Sequence, residues 1–165
     1  MDAEQWIEFL QMEEHPEGGY YKSSFTSEDG MDFQSHKGER PLYTSIYFLL
    51  RSQDLSHFHR LKSDELWYYH AGSALTVHII DEDGAYRQER LGIAIVDGEK
   101  PQVLVPKGSI FGSTVDREDG FSLVGCMVAP GFDYNDFELF TQKQLKADYP
   151  QHEEIIERLA YTELP

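Results

Sequence analysis

The chain has a single cysteine, Cys126, among 165 residues. A disulfide within the chain is therefore excluded. A thiol inside the apolar run Phe121–Ala129 reads as buried and inert. Basic residues are scarce too: 14 Lys and Arg stand against 30 Asp and Glu, a formal charge of −16. Such a surface repels phosphate backbones and anionic lipid, which argues against nucleic-acid and membrane-surface partners. It does not bar an anionic small molecule from a local pocket. No apolar run approaches the roughly 20 residues of a membrane helix. The first ten residues hold three acids, no Lys or Arg and no long apolar stretch, unlike a secretory signal. A cytoplasmic protein is the expectation. Nucleophile elbows and phosphate loops are also missing: Gly18 and Gly19 follow Pro16-Glu17 and read as a turn with no helix after it.

What is present suits one domain over 1–165. The length is ordinary, 40% of residues are apolar, and neither an internal repeat nor a linker divides the chain. Asp2 to Met12 has Trp6, Ile7, Phe9 and Leu10 at helical spacing, with Asp2 as the N-cap. Tyr20 to Phe25 reads as a strand. Thr26 to Arg40 is a polar loop long enough for a lid. Leu42 to Leu50 is a buried strand. His57 to His59, Glu65 to Ala71, Ala74 to Ile80, Arg87 to Ile95, Gln102 to Val105, Ile110 to Val115 and Phe121 to Val128 supply further strands. The apolar spacing after Phe137 predicts two helices. Eight or nine short strands, with helices only at the chain ends, argue for a mainly β sandwich or barrel rather than a doubly wound sheet.

The most informative stretch is Ser56 to Gly72. It holds His57-Phe58-His59, then Glu65, then Gly72. Residues i and i+2 of a strand share a face, so His57 and His59 are expected to aim together. A return strand brings Glu65 within reach of them. Two imidazoles and a carboxylate suit either a divalent metal or acid–base chemistry. By alternation only one of Asp64 and Glu65 faces inward, and Glu65 is the expected one.

These residues resemble the first motif of the cupins, jelly-roll-type barrels built as a double-stranded β-helix. The gap from His59 to Glu65 is about one residue longer than usual. In the second motif Pro106-Lys107-Gly108-Ser109-Ile110 is followed by Phe111, where the cupin pattern has a fourth metal-binding histidine. A narrower resemblance, to the cupin-5 family, runs through His15-Pro16-Glu17-Gly18-Gly19-Tyr20, Thr44 to Leu50, Phe58-His59-Arg60, Asp64-Glu65-Leu66-Trp67, Pro101-Gln102-Val103 and Val128 to Asp133. It implies a single cupin barrel with short helices at both ends, and a homodimer. That family is described as similar to sugar epimerases.

Three functions follow as expectations. The first is acid–base chemistry of the carbohydrate or sugar-nucleotide epimerase and isomerase type, with His59 as base, Glu65 orienting it and Tyr47 as acid. The second is a binding module without catalysis for a small, possibly carbohydrate, ligand. Its cavity would be lined by Trp67, Gln102, Ser109, Phe111, Tyr43, Ser45 and Arg60, with Gln102 and Phe111 on the wall opposite His59. The third is a metal-dependent oxygenase with a divalent ion on His57, His59 and Glu65. Otherwise no cofactor is expected, since Phe111 replaces the fourth ligand. Arg40 and Arg60 are candidate anion contacts at the mouth. His36, His70, His78 and His152 are expected to be surface or satisfied residues.

Overall fold

The computed structural model describes all 165 residues. In chain order the elements are α1 (Ala3–Leu10), β1 (Glu13–Glu14), β2 (Tyr20–Thr26), β3 (Gly30–Asp32), β4 (Glu39–Pro41), β5 (Thr44–Arg51), β6 (Ser56–Arg60) and β7 (Asp64–Gly72). They continue with β8 (Leu75–Ile80), β9 (Tyr86–Leu91), β10 (Gln102–Val105), β11 (Ile110–Val115), β12 (Phe121–Ala129), β13 (Glu138–Leu139), α2 (Gln142–Asp148) and α3 (Glu153–Leu159). A six-stranded sheet runs β1-β2-β5-β12-β7-β10, and a five-stranded sheet runs β13-β6-β11-β8-β9. Every strand pairing within the sheets is antiparallel.

The two sheets face each other because each strand alternates. Phe48, Leu50, Trp67, Val77, Ile79, Phe111 and Val124 meet between them in one buried cluster. The outer faces are covered by the terminal helices. Phe58, Ile80 and Ile110 on the five-stranded sheet pack against Phe140, Leu145, Ile156 and Leu159. Leu49 and Leu123 on the other sheet pack with Ala3, beneath Trp6, Ile7 and Leu10 of α1. Each burial of this kind contributes roughly 1.5–3 kcal/mol per large apolar side chain. Helix α1 starts in a capping box: the Asp2 side chain accepts from Gln5 N–H at 2.8 Å, and the Gln5 side chain accepts from Asp2 N–H at 3.0 Å.

The expected open loop from Thr26 to Arg40 is folded instead. Strands β3 and β4 form a hairpin within it. Arg40 is buried and forks onto the Asp136 carboxylate at 2.8 and 3.1 Å. His36 is buried as well, its Nε2 2.9 Å from Ser63 Oγ. A desolvated bidentate ion pair of this geometry ties the segment to the barrel, so Arg40 is a structural anchor and not an anion contact. No helix is long and apolar enough to cross a membrane.

Candidate functional site

Between the sheets, opening at one end of the barrel, lies a cavity of about 360 Å³. Its floor comes from the six-stranded sheet: Tyr21 and Ser23 of β2, Ser45, Ile46 and Phe48 of β5, Glu65 and Trp67 of β7, and Cys126 and Val128 of β12. His59 enters from the opposite sheet. His15 and Glu17 descend from the turn before β2, and Phe132 and Tyr134 from the segment after β12.

The turn at Pro16-Glu17-Gly18-Gly19 sets the chemistry. Gly18 has φ +108°, and a Cβ there would stand 1.9 Å from the Leu55 carbonyl oxygen, so only glycine lets the chain pass this close to β6. The Glu17 carbonyl is thereby held on β6: it accepts from His57 N–H at 2.7 Å and from His57 Nδ1–H at 2.7 Å. The Glu17 side chain then drops into the barrel. Its Oε1 accepts from Ser56 Oγ–H at 2.7 Å, and its Oε2 lies 3.0 Å from His59 Nε2. His59 Nδ1 lies 2.7 Å from the His57 carbonyl, which can only accept, so the Nδ1 position carries the proton. One further proton must therefore sit in the Nε2–Oε2 link, on either partner. Burial pushes the Glu17 carboxyl up and the His59 imidazole down to about 4, which favours the uncharged form of the pair. His15 stands beside it, its Nδ1 accepting from Glu17 N–H at 3.1 Å, and burial lowers its pKa as well.

Glu65 faces the same space. Burial, then the nearby Glu17, raises its carboxyl to about 8. Trp67, two residues on and on the same strand face, leans its indole N–H toward that carboxyl without completing a hydrogen bond. Glu65 Oε2 and Trp67 Nε1 are both buried and unpartnered. In a protein interior such groups are nearly always paired. The cavity therefore holds a pair that shares a proton, and beside it a neutral acid and an indole with unspent hydrogen-bonding capacity.

The structure brings His59, Glu65, Trp67 and Ser45 together at this cavity, and packs the Phe111 ring 4.1 Å from that of His59. It separates the other expected residues from it. His57 does not join His59: the β6–β11 register shifts between Phe111 and Ser113, and the His57 ring stacks on Tyr161 at 3.6 Å, outside the cavity. Tyr47 lies on the other face of β5, near the His70 ring, because Ile46 and Phe48 take the inner face. Gln102 is exposed, since Val103 and Val105 fill the inward positions of β10. Ser109 is buried in the turn before β11 but does not line the cavity, and Tyr43 is 39% exposed. Arg60, one residue past His59, points outward, pairs with Glu138 at 2.7 Å and covers the Phe140 ring. The carboxylate paired with His59 is Glu17, not Glu65; Asp64 points out and accepts from Lys107 N–H.

A resident metal does not fit these residues. Both nitrogens of His59 are engaged, His57 is turned away, and no three His, Cys, Asp or Glu side chains are grouped to hold an ion. His15 and Glu17 were not among the residues expected at the site, although both stand in the His15-Pro16-Glu17-Gly18-Gly19-Tyr20 motif.

With this geometry in hand, comparison with known proteins decides the family. The family Cupin_5, described as "Cupin superfamily (DUF985)", matches residues 4–140. The chain belongs to that family. Two solved structures match this cupin along its whole length. A hypothetical protein from Leishmania major is 47% identical with a TM-score of 0.92, covering 98% of this chain and 99% of its own. A protein from Shewanella oneidensis is 51% identical with a TM-score of 0.91, covering 99% of each chain. Oxalate decarboxylase from Bacillus subtilis shares the fold alone: an alanine mutant is 18% identical with a TM-score of 0.60, covering 96% of this chain and 39% of its own. No curated protein matches this cupin.

Proposed function

We propose that this cupin carries out acid–base chemistry on a small polar ligand held in the barrel, of the carbohydrate epimerase or isomerase type. The single observation behind the reading is the buried Glu17–His59 pair facing the raised carboxyl of Glu65 in one cavity. Groups with environments that push their pKa values apart are the usual arrangement for an acid and a base. In the proposed step a C–H bond beside a ligand carbonyl breaks. Its proton passes to Glu17 when the shared proton rests on His59, and its electron pair moves onto the carbonyl oxygen. Collapse of this enolate to the carbonyl, with a proton from solvent added on the other face and the Glu17 proton released to solvent, completes an epimerisation. Where the carbon that lost its proton bears a hydroxyl, passage of that O–H proton to the first carbonyl oxygen and of the Glu17 proton to the neighbouring carbon completes an isomerisation. No oxidant is consumed. His59 and Ser56 act as positioning residues: they fix the Glu17 carboxyl and tune its proton affinity.

A second reading, a binding module without catalysis, is favoured by one fact: both ring nitrogens of His59 are bonded within the protein, leaving neither free for a substrate. The test is incubation of ketoses and aldoses in D2O with the protein, followed by NMR. Deuterium appearing at the carbon next to the carbonyl, lost in Glu17→Gln, supports the catalytic reading. A sugar that binds the cavity without any exchange above buffer leaves only the binding module.

A further inference from the structure

We infer that the ligand of this cavity is an uncharged carbonyl compound, a free sugar and not a phosphorylated, carboxylated or nucleotide-linked one, whose carbonyl oxygen accepts from Trp67 Nε1–H and the Glu65 carboxyl. The inference rests on the functional reading above and names its substrate class.

Three observations carry it. First, Trp67 Nε1 is a donor only, and it is buried and unpartnered; Glu65 Oε2 beside it is buried and unpartnered too. Glu65 and Trp67 share one face of β7 and both line the cavity, so both are directed to the same ligand space. With the carboxyl protonated, as its burial near Glu17 favours, both are donors and together call for an acceptor. A carbonyl oxygen has two lone pairs, and it becomes a stronger acceptor as the enolate forms, which is how paired donors assist such a step.

Second, the sign of the cavity rejects anions. No Lys or Arg is among its lining residues, whereas two carboxyls, Glu17 and Glu65, are. Its two imidazoles, His15 and His59, are held toward their neutral forms by burial. A phosphate or carboxylate entering this space would lose its water without gaining a cation, a cost that specific sites meet with Arg or Lys. The surrounding surface, at −16 for the chain, repels an anion before it arrives.

Third, the size and the walls fit. The cavity, at about 360 Å³, lies at the lower end of the range for ligand pockets, roughly 300–1,000 Å³. Phe48, Phe132 and Tyr134 line it with aromatic rings suited to the C–H side of a sugar, and Thr44 and Ser45 add hydroxyls.

The test uses the intact protein and calorimetric titration with dihydroxyacetone, D-fructose and D-xylulose, each beside its phosphate ester, and with UDP-glucose. At least one uncharged compound should bind, at least about tenfold more tightly than its ester, a gap of about 1.4 kcal/mol. Glu65→Gln, which keeps a neutral donor, should preserve that preference. Trp67→Phe, checked for folding by circular dichroism, should weaken the uncharged ligand about tenfold. A phosphate ester or UDP-glucose binding as tightly as the free sugar overturns the inference, as does the failure of all three uncharged compounds to bind. Selective binding of the free sugar with no deuterium exchange leaves this inference intact and removes the catalytic reading.

Discussion

His59 and His78 are both buried to within a few per cent of complete, both have two engaged nitrogens, and burial pulls both down to about 4. Yet they sit in different surroundings. His78 lies on the outer face of β8, under the C-terminal helices. Its Nδ1 is 2.7 Å from Tyr86 Oη, its Nε2 is 3.0 Å from Thr114 Oγ1, and Tyr86 stacks parallel to it. Every polar atom of that network is paired. His59 faces Glu17 in a cavity where Glu65 Oε2 and Trp67 Nε1 have no partner. Burial and a depressed pKa are thus shared by a histidine locked in a closed network and a histidine that lines the cavity. Unmet hydrogen-bonding capacity beside a void separates them.

The largest expected effect tests that difference directly. Glu17→Gln removes the proton acceptor while keeping the shape, and should lower solvent exchange of a ligand C–H by about 10²–10⁴-fold. His78→Gln should leave that rate unchanged; an equal loss in both, measured by NMR in D2O, would erase the distinction. Next in size is stability. His78→Leu leaves the buried Thr114 hydroxyl without its partner, takes one of the two partners of Tyr86 Oη, and should cost about 1–3 kcal/mol in urea unfolding.

A subtler contrast lies in pH. The folded-state pKa of Glu65 is raised from 4.5 to about 8, so its contribution to stability is full below 4.5 and is lost as pH rises through about 8. His59 and His78 are lowered from 6.5 to about 4, so theirs is present above 6.5 and lost as pH falls through about 4. Glu65→Gln should therefore flatten the alkaline limb of a stability–pH curve between pH 4.5 and about 8, by on the order of a few kcal/mol, and leave the acid limb alone. An unchanged alkaline limb would contradict the assignment. Smallest of all, Tyr47→Phe should alter neither exchange nor ligand affinity, because its ring packs on the far face of β5.

Much of the barrel was legible in the sequence because alternation and β-branched runs report burial directly. The strand from Thr44 to Arg51 and the strand from Phe121 to Ala129 were visible as apolar runs, and alternation showed that only one of Asp64 and Glu65 faces inward, Glu65 being the expected one. Parity failed where geometry is not regular. His57 shares a parity with His59, but the register shift between β6 and β11 turns it out of the cavity and onto Tyr161. Tyr47 and Gln102 each required knowing which parity faces in, and that depends on the partner sheet. Glu17 was hidden for a different reason. A glutamate between proline and glycine reads as a turn, and nothing local says that the turn folds over the barrel and inserts its side chain. The N-cap of α1 at Asp2 was legible because it closes within four residues, whereas the pairing of residues 17 and 59 links segments far apart in sequence.

The central feature of the cavity is a neutral, unpartnered carboxyl beside a pair holding one shared proton. Carbon-13 NMR of the glutamate carboxyl groups, followed against pH, measures this without any ligand. The expected result is one resonance titrating near 8 that is absent in Glu65→Gln. Glutamates that all titrate in the ordinary range near 4.5 would contradict it.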